Sequence, residues 1–98
     1  IDTSRFVIIE KEATDVKING IVEDNILNYE LNTIIDGDFQ ISIIDLNGNE
    51  IIQLQNSYFK NGIYNFSENI SSLTKGVYFL ITKYENKLIS NKFIKIDQ

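Results

Sequence analysis

Cysteine, histidine, methionine, tryptophan and proline are all missing from this 98-residue chain. Without cysteine no disulfide framework can form, and without cysteine or histidine there is neither a Cys/His zinc site nor catalysis by a thiolate or imidazole. Exported and cytosolic domains alike can do without thiols, so this absence leaves the compartment open. No apolar run approaches the roughly 20 residues that a helix needs to cross a bilayer. No charged-then-apolar leader opens the chain, and no stable membrane insertion is expected of it. Residue 1 is not methionine, which favours a piece of a longer chain or a processed product. A net charge of −5 argues against non-specific binding of nucleic acid, which requires a basic surface to displace counterions.

A hydrophobic content of 43% in a chain this short suits one small globular domain. The charge is uneven: residues 1–50 carry three basic and eleven acidic groups, a balance of −8, and residues 51–98 six basic and three acidic, a balance of +3. Either these are solvated faces that keep the protein soluble, or the basic half meets an acidic partner.

Apolar residues recur with period two, in short segments broken by Gly, Asn and Asp, which predicts an all-β chain. Strands are expected at 6–10, 16–22, 26–31, 39–45, 50–55, 63–67, 77–84 and 88–96, and seven to eight strands at this spacing suggest an antiparallel sandwich. Phe39, Ile41 and Ile43 alternate with Gln40 and Ser42, as Tyr64 and Phe66 do with Asn65 and Ser67, the signature of strands with one face buried. The last strand is out of step: Ile89 and Phe93 share one phase, Ile94 and Ile96 the other, so a bulge near Phe93 or burial on both faces is expected. Residues 1–24 read as N-terminal strands or a linker remnant ahead of a domain at 25–98, within what is best taken as one domain overall.

Asn47-Gly48, beside Asp45, signals a two-residue type I′ hairpin turn, and Asn61-Gly62 and Glu85-Asn86 mark further turns. The Ile70-Ser71-Ser72-Leu73-Thr74 stretch can wind into one helical turn that tucks Ile70 and Leu73 under the sheet before Gly76 launches a strand. The oxygen-bearing set Asp36, Asp38, Asp45, Asn47, Asn49 and Glu50 would suit calcium by residue type. Its spacing fails the twelve-residue calcium loop, and turn chemistry explains it more simply. No cofactor or metal is expected, and no catalytic frame is present: there is no nucleophile motif, no Gly-rich phosphate loop and no pocket-forming carboxylate pair. The aromatics read mainly as core, with Tyr58 and Tyr84, near turns, as candidates for an exposed platform that stacks sugar rings. Lys87, Lys92 and Lys95 on the closing strand read as protection of a sheet edge, or as part of a tail recognised by other proteins.

Several fragments follow one another in a telling order. They are Ile26-Leu27-Asn28-Tyr29-Glu30-Leu31, then Ile41 to Ile51 through Asp45-Leu46-Asn47-Gly48, then Leu73-x-x-Gly76-Val77-Tyr78-Phe79, and finally Lys92-Phe93-Ile94-Lys95. Over roughly residues 26–98 this order resembles the C-terminal sorting domain of proteins exported by the type IX secretion system of Bacteroidetes. The usual Asn-Pro near that family's first strand has no counterpart here. The resemblance implies an Ig-like sandwich without enzymatic activity, partnered by an outer-membrane translocon, a sortase and an upstream cargo domain. The cargo would reach the cell surface or the medium after cleavage within residues 1–25. In that picture Gly76 supplies backbone freedom, Val77 and Phe79 anchor their strand in the core, and Lys92 and Lys95, around Phe93 and Ile94, flank the docking tail. Small secreted Ig-like domains of Bacteroides also resemble this stretch, which keeps open a binding or adhesion module for carbohydrate or protein, or a structural accessory of a larger enzyme.

Overall fold

Eight strands and no helix make up the computed structural model, which describes residues 13–96. They are β1 (Asp15–Ile18), β2 (Ile21–Val22), β3 (Ile26–Thr33), β4 (Gly37–Ile44), β5 (Glu50–Phe59), β6 (Gly62–Asn69), β7 (Gly76–Tyr84) and β8 (Lys87–Lys95). One sheet has the order β1-β3-β6 and the other β2-β8-β7-β4-β5. Every pairing is antiparallel except that of β2 with β8. This is the order of an Ig-like sandwich, with the first segment divided between the two sheets. The strand expected at 6–10 lies outside the described residues.

Alternation places the core. Leu27, Tyr29 and Leu31 of β3, Phe39, Ile41 and Ile43 of β4, Tyr78 and Leu80 of β7, and Phe93 of β8 all point between the sheets and are buried. Burying a side chain of this size contributes about 1.5–3 kcal/mol. Stacking adds specificity: Phe39 lies on Tyr84 at 5.1 Å between ring centres and Tyr29 on Phe66 at 5.0 Å, while Phe59 meets Tyr64 edge-on at 4.8 Å. A polar cluster is embedded between the layers. The Tyr29 hydroxyl donates to Glu68 Oε2 at 3.1 Å, and the Gln55 amide donates to both at 3.4 Å. This cluster ties β3 and β6 to β5 across the sandwich.

The segment expected to be one strand at 16–22 is two. β1 joins β3, and after Asn19 and Gly20 the chain crosses to the other sheet, where Ile21 and Val22 lie parallel to Ile94 and Lys95. The crossing is held by one side-chain and one backbone hydrogen bond: Asn19 Oδ1 accepts from the Asn28 backbone amide at 2.9 Å, and Ile94 N donates to Gly20 O at 2.9 Å. Period-two alternation continues through both pieces, so the pattern carries no mark of the change of sheet.

The turn at Asn47-Gly48 is not type I′. Gly48 has φ +86°, but Asn47 is not among the residues with positive φ, whereas a type I′ turn requires it at both central positions. The Asp45 carboxylate redirects the chain, since its Oδ1 accepts from Asn47 N at 2.9 Å and Asn49 N at 3.0 Å, and Gly48 N donates to Asp45 O at 3.0 Å. Asp36 acts similarly at the other end, where its Oδ1 accepts from Asn61 N at 2.8 Å. Both carboxylates therefore serve turns. The 70–74 stretch makes a single turn closed by Leu73 N donating to Ile70 O at 3.0 Å, with Ile70 and Leu73 buried.

Candidate functional site

Two of the four fragments that carry the resemblance, Leu73 to Phe79 and Lys92 to Lys95, meet in the β7–β8 hairpin. Its strands pair without interruption from Gly76↔Lys95 to Tyr84↔Lys87. No bulge occurs near Phe93; the out-of-phase Ile94 is instead accommodated on the outer face, where it pairs with Ile21 of β2. Gly76 opens β7 at φ +152°, with nothing within 4 Å of where a Cβ would stand, so conformation rather than space selects glycine.

Pairing sorts the motif residues onto two faces. Tyr78 and Phe93 point inward as a pair, rings stacked at 5.7 Å. The Tyr78 hydroxyl donates to Thr74 O at 2.7 Å, which fastens the 70–74 turn to the strand it launches. Val77 pairs with Ile94, and Phe79 with Lys92, on the outer face. Val77 and Phe79 are only half-buried there, which corrects the expectation that these two anchor the strand in the core. Tyr78 and Leu80 do so. The reason is parity: once Tyr78 faces Phe93 inward, its neighbours must face out.

The lysines divide in the same way. Lys92 is exposed on the outer face, whereas Lys95 points inward opposite Gly76 and is 1% exposed. Lys95 is therefore not a surface contact of a docking tail. Nor is β8 a free edge throughout, because β2 covers its end at Ile94 and Lys95; this corrects the reading of all three lysines as edge protection. Lys87 is exposed at the hairpin turn, 3.7 Å from Glu85, where an ion pair contributes little. A second tie links the hairpin to the opposite sheet, since Asn91 Nδ2 donates to Val16 O at 3.2 Å. Nothing in the alternation pattern flagged Asn91 or Lys95, two polar residues that share the inward phase with Ile89 and Phe93.

The aromatic platform is not assembled. Tyr58 is exposed on the outer face beside Asp38, but Tyr84 lies on the inner face, stacked on Phe39, so the two are on opposite sides of one sheet. Among the described residues no group of three or more Asp or Glu side chains converges as a metal site. Among the described residues no helix is long and apolar enough to cross a membrane.

No curated protein matches the chain. A family model does: the secretion system C-terminal sorting domain, over residues 23–96. That span runs from the loop ahead of β3 through β8, takes in every motif on the hairpin, and covers well over half of the sequence. The chain therefore belongs to the type IX secretion C-terminal sorting domain family, whose members serve as export addresses and not as enzymes.

Proposed function

We propose that this domain directs an upstream cargo through the type IX system of a Bacteroidetes bacterium, across the outer membrane to the surface or the medium. The observation that carries the reading is the family match from residue 23 to residue 96, which takes in the whole β7–β8 hairpin. The translocon reads the folded domain at that hairpin, and a sortase cuts upstream of it. The backbone of β1 and β2 is paired within the sheets. Cleavage within residues 1–25 thus falls ahead of Asp15 or in the Glu23–Asn25 loop. In this reading Gly76, Tyr78, Phe93 and Lys95, with Leu73 beneath them, build the platform. Val77, Phe79, Lys92 and Ile94 are what the machinery meets, and Asp45, Asn47 and Gly48 shape the adjoining turn.

The test is a reporter fused ahead of residue 1 and expressed in a type IX-competent host. Wild type should carry the reporter to the surface or medium, and deletion of residues 92–98 should leave it in the periplasm. That deletion also removes Phe93 from the core, so a Phe79→Ser, Lys92→Ser variant on the outer face supplies the folded control and should also be retained. Undiminished export of the truncated reporter would overturn the proposal.

A further inference from the structure

The outer face of the five-stranded sheet carries a partly exposed apolar patch at the end where β2 joins β8, while further along the same face Ile81 and Ser42 are buried. Ile21 is 58% exposed and Leu46 69%, and between them lie the half-buried Ile94, Val77, Phe79 and Ile44. Leu46 and Val77 line one shallow groove at the β4–β5 turn. Soluble monomers rarely expose contiguous apolar patches of more than a few hundred Å².

The charges around this patch are ordered. Register places Lys92, Phe79, Ile44 and Glu50 in one row across β8, β7, β4 and β5. Four residues further along β7 Lys83 stands opposite Gln40 of β4, with Asp38 one diagonal step beyond, so the same polarity recurs. All four charged side chains are exposed, and none has an ion-pair partner among the described residues. Lys92 and Glu50 are three strand spacings apart, about 14 Å, too far to neutralise each other within one chain. A row that is cationic at one end, apolar in the middle and anionic at the other is complementary to itself after a half-turn.

We infer that this face is a self-association surface, on which a second copy of the chain docks about a two-fold axis running along the strands between β7 and β4. The half-turn lays β7 over β4 and β8 over β5 of the second copy. Phe79 then meets Ile44, Val77 meets Leu46, and Lys92 meets Glu50, each contact occurring twice, as an isologous interface requires. Lys83 comes within one diagonal step of Asp38. Two twisted sheets packed face to face align at about −30°, which keeps these rows in register near the axis. The dimer covers Val77, Phe79, Lys92 and Ile94, so it withdraws the outward half of the sorting motif from other partners.

Sedimentation equilibrium of the purified 98-residue chain tests this without any export assay, so its outcome is independent of the sorting reading. The expected result is a monomer–dimer equilibrium. Lys92→Glu and Glu50→Lys should each weaken it by roughly tenfold, and the combined variant, which exchanges the two charges, should restore it to near the wild-type constant. Because both positions are exposed, far-ultraviolet circular dichroism should be unchanged in all three variants. If either reversal alters it, Lys92→Ser and Glu50→Ser take their place: each should weaken the dimer, and their combination should be no weaker than the worse of the two. A chain that stays monomeric up to ~1 mM, or a charge exchange that fails to restore association, would overturn the inference.

Discussion

Gly76 sits where the turn at 70–74 becomes β7, at φ +152°, a backbone conformation that an L side chain adopts only under strain. The space around it is open, so a substitution meets no clash and its cost is conformational. Gly76→Ala should destabilise the domain by about 1–3 kcal/mol, visible as a lower urea midpoint at an unchanged slope. An unchanged midpoint would show that the turn can relax around the alanine. A second residue with a sharp consequence is Tyr29. Burial, with a further push from the Glu68 carboxylate and partial opposition from the Gln55 amide, raises its hydroxyl well above the ordinary phenol value of 10.0. In the unfolded chain the phenol ionises near 10, while the folded protein holds the proton to higher pH. The contribution of Tyr29 to stability is thus complete below pH 10 and is lost as pH rises beyond it. Tyr29→Phe should cost about 1 kcal/mol at neutral pH through its lost hydrogen bond. The gap between wild type and variant in urea titrations should then narrow steadily above pH 10; a gap independent of pH would contradict this.

At the scale of the element, the β7–β8 hairpin is two surfaces built from one alternation. Its inward half is a folding device and its outward half is available for contacts, which predicts opposite phenotypes for neighbouring residues. Phe93→Ala removes a fully buried ring stacked on Tyr78 and should cost about 3–5 kcal/mol, whereas the exposed Lys92→Ser should change stability by no more than about 0.5 kcal/mol. Thermal melts of the two variants check the contrast, and equal losses would mean that the faces are misassigned. How much of this was legible depends on the strand. Where polar and apolar residues alternate, as in β3, β4 and β6, both strand and face follow from the sequence. In β7 the run from Val77 to Ile81 is apolar throughout, so alternation is silent about which side faces in. Only the partner strand decides, by placing Phe93 opposite Tyr78. The Asp45 turn was hidden for a different reason. Asn-Gly suits a two-residue hairpin, but a carboxylate three residues before the glycine can capture the amides of both Asn47 and Asn49 and so select a longer loop. The motif positions were visible as letters, and their division between surface and core required the register.

Across the whole molecule, the second and last described strands are direct neighbours: Ile21 and Val22 of β2 lie along Ile94 and Lys95 of β8. The cross-sheet bond from Asn91 to Val16 O reinforces the same closure. A domain made this way completes the pairing of β8 only after segments from nearly the whole described chain have come together. The topology also sets the kinetics. A sandwich dominated by pairings between residues distant in sequence folds in roughly milliseconds to seconds. Isomerisation of X-Pro bonds can add a slower phase of tens of seconds, but this chain contains no proline and has no such bond to wait for. Refolding from urea, followed by tyrosine fluorescence because tryptophan is also absent, should recover its full amplitude within seconds in a single exponential. A residual phase of tens of seconds would have to arise from another process, such as association between copies, and would then accelerate with protein concentration; a slow phase independent of concentration would contradict this account of how the two ends close.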